Sequence, residues 1–330
     1  MQAKQVFTKL IFTSLRYLTT VLVSGSAFAD VNLQQASYYK TWTDFTVTSK
    51  NVKYSFQRTY KSRSIHQGLF GFGWCTDFEK KLDLNSKTEI ILKDCQEDHF
   101  LRFTKRGKNY VSTADPKDKI LVVGDQFQRQ KGLIQQVFDA EGKLIRLQFF
   151  KWPLEIFYDH NQQISSLKIN HDQSISLKFT PRNGDLLTVT APRKAAFVYR
   201  LKNKNLISVS SADAIETNYS YSPTHNLVLI ERAGKTLESM TYNEQKDWLI
   251  GTATSGECKE TFSYSADSKK PLLFKAIIQK YCNGELKKET QVTYELTPVF
   301  TGGYRITRTF SREKNLGPRL AEKNGDSFND

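Results

Sequence analysis

The chain has 330 residues and is 39% hydrophobic, which is long enough for a sizeable core in one large or two small domains. Its net charge of +14 favours attraction to anionic material, although lysines on exposed strands also keep sheet edges from pairing with other chains. No stretch approaches the roughly 20 apolar residues of a membrane-spanning helix, so no transmembrane span is expected.

Residues 1–29 have the pattern of a secretory signal peptide. The basic start "MQAKQVFTKLIFTSLR" precedes a short apolar run that ends in an A-x-A cleavage pattern at Ala27 and Ala29. An ordinary amphipathic N-terminal helix is the alternative interpretation. Cleavage after Ala29 predicts an exported protein that is periplasmic, displayed on the cell surface or secreted.

The sequence pattern of residues 30–137 predicts an N-terminal β module without a visible repeat. Segments such as "TDFTVTS", "VKYSFQRTY" and "TEIILKD" alternate or are rich in β-branched residues. Within this module, "GLFGFGW" begins at Gly68, but a phosphate-binding loop would also need a following helix or a lysine and hydroxyl. We therefore expect Gly71 and Gly73 to serve backbone geometry, while Phe70 and Trp74 bury apolar area around the bend.

The periodic sequence of residues 138–310 predicts an array of β-hairpins. Seven segments, 20 to 22 residues apart, begin with Phe or Tyr, pass through polar turn formers and then reach Leu or Ile. The seventh segment is the most divergent. We expect each leading aromatic to lie over the neighbouring hairpin as part of the core, and residues 311–330 to form a polar, disordered tail. The leading aromatics are Phe138, Tyr158, Phe179, Tyr199, Tyr221, Tyr242 and Tyr264.

Four cysteines in an exported chain indicate disulfides. Three pairings are open to them. Turn-like sequences lie midway between Cys75 and Cys95 and midway between Cys258 and Cys282, so pairing across these two hairpins is favoured. Free thiols are the alternative, and the spacing does not fit a zinc site.

The sequence offers little catalytic chemistry, and we assign no catalytic, cofactor-binding or metal-binding residue. Two polar groups come nearest to a constellation, and both are interpreted as turn or hairpin-end residues. These are His160 and His171 beside Asp159 and Asp172, and Asp94, Glu97, Asp98 and His99 near Cys95.

Two N-terminal segments, "VNLQQASYYKTWTDFTV" and "VKYSFQRTYKSRSIHQGLFGFGWCTDFEKKL", resemble the N-terminal module of Rhs and YD-repeat proteins. The unit "FDAEGKL" at 138–144 and its looser copies are similar to the YD repeat itself, so the resemblance covers about 31–82 and 138–273. The residues that match the N-terminal motif are Arg58, Thr59, Tyr60, Ser62, Gly68, Phe70, Gly71, Gly73 and Trp74.

The resemblance implies an all-β fold in which antiparallel hairpin repeats form a curved or spiralling sheet strip, as part of an Rhs-type shell. The chain departs from the family pattern because it lacks the motif that closes the shell and shows no effector-like segment after Phe300. A sheet of about 300 residues is also too small to enclose a folded domain.

Three functions are left open by the sequence. The first is a non-enzymatic exported scaffold that binds an envelope protein or an Rhs-type partner chain, through its concave face or the region from about 274 to 310. The second is a binder of an anionic glycan or envelope polymer. The third is a fragment or partner of a larger Rhs toxin-delivery system. No nucleic-acid partner is expected of an exported chain.

Overall fold

A computed structural model describes most of the chain after the predicted signal peptide. The predicted cleavage site, residues 96–99, His171 and residues 317–330 lie outside the described part, as does the side chain of Asp172. The described residues are 31–49, 52–95, 100–149, 152–169, 172–180, 185–212, 214–256, 258–266, 272–298 and 304–316.

The described residues form β-strands, turns and loops, and no helix occurs among them. The predicted all-β class is therefore confirmed. The first strands are β1 (Val31–Asn32), β2 (Ser37–Ser49), β3 (Val52–Lys61), β4 (Gln67–Gly68), β5 (Gly71–Phe72), β6 (Trp74–Cys75), β7 (Lys80–Asp83), β8 (Glu89–Asp94), β9 (Leu101–Arg106), β10 (Asn109–Ser112), β11 (Lys119–Val123), β12 (Gln126–Lys131), β13 (Ile134–Phe138) and β14 (Leu144–Phe149). The remaining strands are β15 (Trp152–Tyr158), β16 (Ile164–Ile169), β17 (Asp172–Phe179), β18 (Leu186–Thr190), β19 (Phe197–Lys202), β20 (Asn205–Ser211), β21 (Ala214–Tyr221), β22 (Leu227–Arg232), β23 (Lys235–Asn243), β24 (Trp248–Thr254), β25 (Cys258–Ala266), β26 (Leu273–Cys282), β27 (Glu285–Pro298) and β28 (Tyr304–Asn315).

Strands β7 to β28 form one large antiparallel sheet of 22 strands, in which each strand pairs with the next along the chain. Among the described residues, the first and last of these strands form no ladder with each other, so the sheet is open. The sheet nevertheless curls. The amide of Leu82 in its first strand, β7, donates a hydrogen bond of 2.7 Å to the carbonyl of Gly142, in the turn before β14. The predicted curved strip of hairpins is thus the observed architecture.

A smaller four-stranded sheet, ordered β1-β2-β3-β6, forms the N-terminal sheet. One face of this sheet packs against the inner face of β15–β24, the face toward which the buried side chains of the large sheet point. The pairs run along the large sheet in order. They join Tyr54 to Trp152 (ring centroids 6.1 Å apart), Phe56 to Phe179 (6.2 Å), Phe45 to Phe197 (5.0 Å), Lys40 Nζ to Glu238 (2.5 Å) and the carbonyl of Ala36 to the Leu249 amide (2.8 Å).

The sheets divide the chain at a different place from the predicted boundary between 137 and 138. Strands β7–β12 precede the aromatic repeat, yet they belong to the same ladder as the repeats. Strand pairing needs only an alternating pattern, such as the buried Ile90 and Leu92 of β8, and not the full repeat. The division by sheets therefore falls between Cys75 and Lys80.

The predicted tail also begins too early. β28 continues to Asn315 and pairs with β27 along its whole length, so residues 311–315 belong to the sheet. The side chains of residues 311–315 are exposed and polar, as suits an edge strand. The same polar composition is what predicted disorder.

Candidate functional site

Arg58 lies at the centre of the contact between the two sheets. Its side chain is 1% exposed, and its Nε and Nη2 donate to the two carboxylate oxygens of Asp44 at 2.7 and 3.0 Å. Nη2 also donates to the Tyr219 hydroxyl at 3.2 Å, and the guanidinium lies 4.6 Å from the Trp74 ring centroid. The Tyr199 hydroxyl donates to the same carboxylate at 2.7 Å. Two N-terminal residues are thereby fixed to strands β19 and β21.

The buried environment of Arg58 and its contact with Asp44 determine its charge state. Burial lowers the pKa of a guanidinium, but the adjacent Asp44 carboxylate outweighs that effect and holds the pKa of Arg58 above its usual value. A permanently charged, bidentate pair of this kind is costly to break, because either partner alone would be a buried charge. The role of Arg58 is accordingly structural.

Two other residues of the N-terminal motif also bind the hairpin repeats. The Tyr60 hydroxyl donates to the His225 carbonyl at 3.1 Å and accepts from the Leu227 amide at 2.8 Å. Trp74 Nε1 donates to the Tyr221 hydroxyl at 2.9 Å. The N-terminal motif therefore anchors the N-terminal sheet to the hairpin repeats.

The glycine-rich bend serves backbone geometry, as its sequence predicts. Gly71 has a φ of +95°, and a Cβ there would lie 2.3 Å from the Lys204 carbonyl oxygen. The neighbouring Phe72 amide donates to that same carbonyl at 2.9 Å, and the Gly73 amide donates to the His66 carbonyl at 2.9 Å. These amides are already paired with protein oxygens. Phe70, fully buried, lies 4.7 Å from the Tyr199 ring, and Gly68 lies beside Glu79.

Four of the seven repeat aromatics lie directly opposite the Leu or Ile that follows the turn, and these are Phe138, Tyr158, Tyr221 and Tyr242. Phe138, Phe179 and Tyr199 are buried, while the tyrosines of the other four repeats are half-buried. The Tyr158 hydroxyl donates to the Leu144 carbonyl at 2.9 Å, and the Tyr221 hydroxyl donates to the Leu206 carbonyl at 2.8 Å. In both cases the aromatic reaches the preceding hairpin, which is the packing that the repeat predicts.

In the first two repeats an aspartate stabilises the turn. Asp139 Oδ1 accepts from the Glu141 and Lys143 amides at 2.9 and 2.8 Å. Asp159 makes the same two bonds one repeat later, to the amides two and four residues on. His160 beside it is exposed in the turn. The interpretation of this pair as turn residues is therefore supported at Asp159.

A second buried polar cluster lies near the first disulfide. Asp94, predicted to lie at a solvated hairpin end, instead pairs with Lys80 at 2.5 Å, and both side chains are buried. Burial raises the pKa of the nearby Asp77 to about 6, although Lys80 opposes the shift, and the Tyr54 hydroxyl donates to Asp77 at 3.4 Å. The described part of the chain contains no group of three His, Cys, Asp or Glu side chains placed to hold a metal ion.

Both disulfides have the connectivity favoured by the sequence. Cys75 is bonded to Cys95, but this bond joins the N-terminal sheet to the loop after β8, so the prediction that the pair faces across a single hairpin is wrong here. Cys258 is bonded to Cys282, directly across the β25–β26 ladder, where their Cα atoms are 4.0 Å apart.

The exposed candidate site surrounds residues 61–67, which we call the basic loop. Three depressions of about 580, 520 and 220 Å³ adjoin it, and Lys61 lines all three. Ile65 is 84% exposed at its tip, and Arg63 donates to the Gln35 carbonyl. His66 Nε2 lies 3.9 Å from the Glu79 carboxylate.

The depressions differ in character. The largest lies between the N-terminal sheet and β27, where Tyr39, Thr41 and Tyr294 line it. The second combines the exposed ring of Phe100 with Lys93, a cation paired with Asp83 at 2.8 Å. Cations beside exposed apolar side chains suit an anionic or amphipathic ligand. In the sequence this loop is only a short basic run, "KSRS", which is too short to predict a binding site.

Comparison with known protein families identifies one matching segment. Residues 30–100 match the family model described as Domain of unknown function (DUF6531), which covers the N-terminal sheet and the first strands of the large sheet. Comparison with curated proteins gives no match. A helix long and apolar enough to cross a membrane is not found among the described residues.

Proposed function

We propose that this chain is an exported, non-enzymatic scaffold of the Rhs and YD-repeat type that works by binding another protein of the cell envelope. The observation that carries this proposal is that the N-terminal sheet fills the inner face of β15–β24. The pairs of Arg58 with Asp44 and of Lys40 with Glu238 occupy polar positions on that face. The surfaces that remain for binding a partner are the basic loop and strands β25–β28.

The proposed family rests on two independent features. The matched domain is one that occurs in Rhs and YD-repeat proteins, and the hairpins repeat an aromatic, a polar turn and a Leu or Ile in the same order. The filled inner face also argues against cargo enclosed beneath β15–β24. A scaffold role therefore fits better than a self-contained toxin carrier.

This proposal assigns no catalytic residue, because the polar candidates already make structural contacts. Asp159 caps a turn, Asp94 is paired with Lys80, and Asp44 is paired with Arg58. Each group thereby performs a structural task. A general acid or base would instead need its titrating atom aimed at a substrate cavity.

Cross-linking of the tagged full-length chain in its native envelope tests the proposal. We expect capture of one defined protein and co-elution of the pair on size-exclusion chromatography after purification. Mass spectrometry of the exported chain should show an N-terminus at Asp30. A monomer with no captured protein would contradict the scaffold function, and an intact signal segment would contradict export.

An anionic glycan or other envelope polymer is the second candidate ligand, favoured by the cations of the basic loop. Retention on immobilised lipopolysaccharide should then fall steeply with salt, because exposed charges are screened. Arg63→Gln should weaken retention, whereas Lys108→Gln, at an exposed turn elsewhere, should not. Equal losses for the two variants would indicate attraction by net charge alone.

A further inference from the structure

The last strand of the large sheet, β28, leaves a long open edge. It pairs with β27 from Tyr304 to Asn315, and no described strand lies along its other side. The opposite end of the sheet is different, because β7 is four residues long and contacts the turn at Gly142. A long edge of unpaired amide and carbonyl groups is a template for an added strand.

The side chains of β28 give this edge a charge pattern. Arg308, Arg312 and Lys314 alternate along one face with Phe310, which is 52% exposed. This is the outer face of the sheet. The residues between them, such as Thr309, instead share the inner face with the buried Tyr294 of β27. The outer face of the edge is therefore basic and partly apolar.

Strand β27 shows what kind of neighbour suits these cations. In the antiparallel register, Glu289 lies opposite Lys314 and Glu295 lies opposite Arg308. Glu295 Oε2 is 3.7 Å from Arg308 Nε, whose side chain is still 72% exposed. Arg312 lies opposite Gln291 and meets no acid directly across this ladder. A second neighbour with outward-facing acids would pair with the same cations from the other side.

A second copy of this chain fits less well. If two β28 strands paired about a two-fold axis centred on Phe310, Arg308 of each would lie opposite Arg312 of the other. Like charges directly opposite each other destabilise a strand pair.

We infer that the open edge of β28 takes up an acidic, extended segment of a partner protein as an additional antiparallel strand. This inference rests on the proposed scaffold function and specifies its partner. The segment would carry acids opposite Lys314, Arg312 and Arg308 and an apolar residue opposite Phe310. Its backbone would pair with the open edge, while its acids would set the register.

A peptide probe tests the inference directly. The probe carries Glu at its first, third and seventh positions and Phe at the fifth, in a strand-forming sequence otherwise made of Thr and Val. The control peptide has the same composition with the acids moved by one position, so that they face the other side of the sheet. We expect the full-length secreted chain to bind the probe about tenfold more tightly than the control, given three cross-strand ion pairs.

Charge-reversal variants identify the site. Arg308→Glu together with Arg312→Glu should abolish the tenfold preference, whereas Lys235→Glu, an exposed cation on β23, should preserve it. Hydrogen exchange provides the second readout. The probe should slow exchange at every second amide of 306–314, because only alternate amides of a strand point to its open edge.

Three results would overturn the inference. The first is equal affinity for probe and control peptides, which would leave the cations only the role of preventing edge-to-edge association. The second is protection confined to the basic loop. The third is binding that begins only after residues 317–330 are deleted, which would assign the edge to the chain's own C-terminal segment. If the charge-reversed chain still captures its envelope protein, the scaffold function stands and this contact fails.

Discussion

The same hairpin repeat packs in two different ways along the large sheet. In β15–β24 the repeat aromatics meet the N-terminal sheet, as Phe179 does with Phe56 of β3. In β25–β28 the last repeat aromatic, Tyr264, stacks instead on Phe274, and Phe274 stacks on Tyr294, each at a centroid distance of 6.1 Å. The repeat thus specifies the hairpin, while the non-repeated N-terminal sheet determines which hairpins gain a buried partner surface.

The ion pairs differ between the two regions in the same way. Under the N-terminal sheet, Arg58 and Asp44 are both almost fully buried. In the late strands, Arg308 lies beside Glu295 with 72% of its side chain exposed. Buried pairs fix the geometry of a contact, whereas exposed pairs contribute little stability and leave charge for another molecule. The filled region, the N-terminal sheet with β15–β24, therefore contains a buried ion pair, whereas the late region, β25–β28, presents exposed charge.

Removal of the buried cation should give the largest effect on this comparison. Arg58→Met leaves Asp44 buried without its partner, so we expect the free energy of unfolding to fall by about 3 to 5 kcal/mol. Arg308→Met should change it by less than about 0.5 kcal/mol, since the Glu295 contact is exposed. Urea unfolding measures both. Equal losses would show that the two regions do not differ in the way described.

The glycine bend tests the contact between the two sheets at the level of the backbone. Gly71→Ala adds a methyl group 2.3 Å from the Lys204 carbonyl oxygen and should cost about 3 kcal/mol or more. Gly284→Ala is the matched control, because it has a φ of +79° but open space around its Cβ. It should cost only the roughly 1 to 2 kcal/mol of a left-handed alanine. Thermal unfolding that ranks the two variants equally would remove the packing role of the bend.

Local patterns made the hairpins and disulfides predictable from sequence. Alternating residues and turn formers act over fewer than ten positions, and each cysteine pair flanks a turn-like midpoint. The partners of Arg58 were not predictable in this way, because Tyr219 is 161 residues distant and is not itself a repeat aromatic. For the same reason the sequence did not predict the inner position of the N-terminal sheet, the place of β7–β12 in the large sheet or the pairing of residues 311–315.

The two disulfides should separate the regions by where stability is lost. Each closes a loop, with a sequence separation of 20 for Cys75 and Cys95 and of 24 for Cys258 and Cys282, so replacement by alanines should cost about 3 kcal/mol in the chain-entropy model. We expect loss of the second bond to accelerate amide exchange mainly in residues 273–298. Loss of the first should accelerate exchange across both sheets. Uniform exchange in both variants would argue that the late strands unfold together with the rest.

Asp77 provides the last and smallest test, through pH. Its pKa is raised by burial to about 6 from 3.8, despite the opposing charge of Lys80. The folded chain therefore binds a proton more tightly at this group than the unfolded chain does. Its contribution to stability is highest below pH 4 and declines as the pH rises through 6, by roughly 3 kcal/mol in total. Asp77→Asn keeps an acceptor for the Tyr54 hydroxyl and should remove this decline.

The late strands contain the comparison for this effect. Burial also raises the pKa of Glu260, but that carboxyl is only partly buried and Lys280 and Lys288 oppose the shift. Glu260→Gln should therefore alter the pH dependence much less than Asp77→Asn, since a partly solvated group loses less on ionisation. Urea midpoints measured at pH 4, 5, 6 and 7 for both variants and the unsubstituted chain decide the matter. A larger slope change for Glu260→Gln would mean that the late strands, and not the filled region, contain the more strongly desolvated carboxyl.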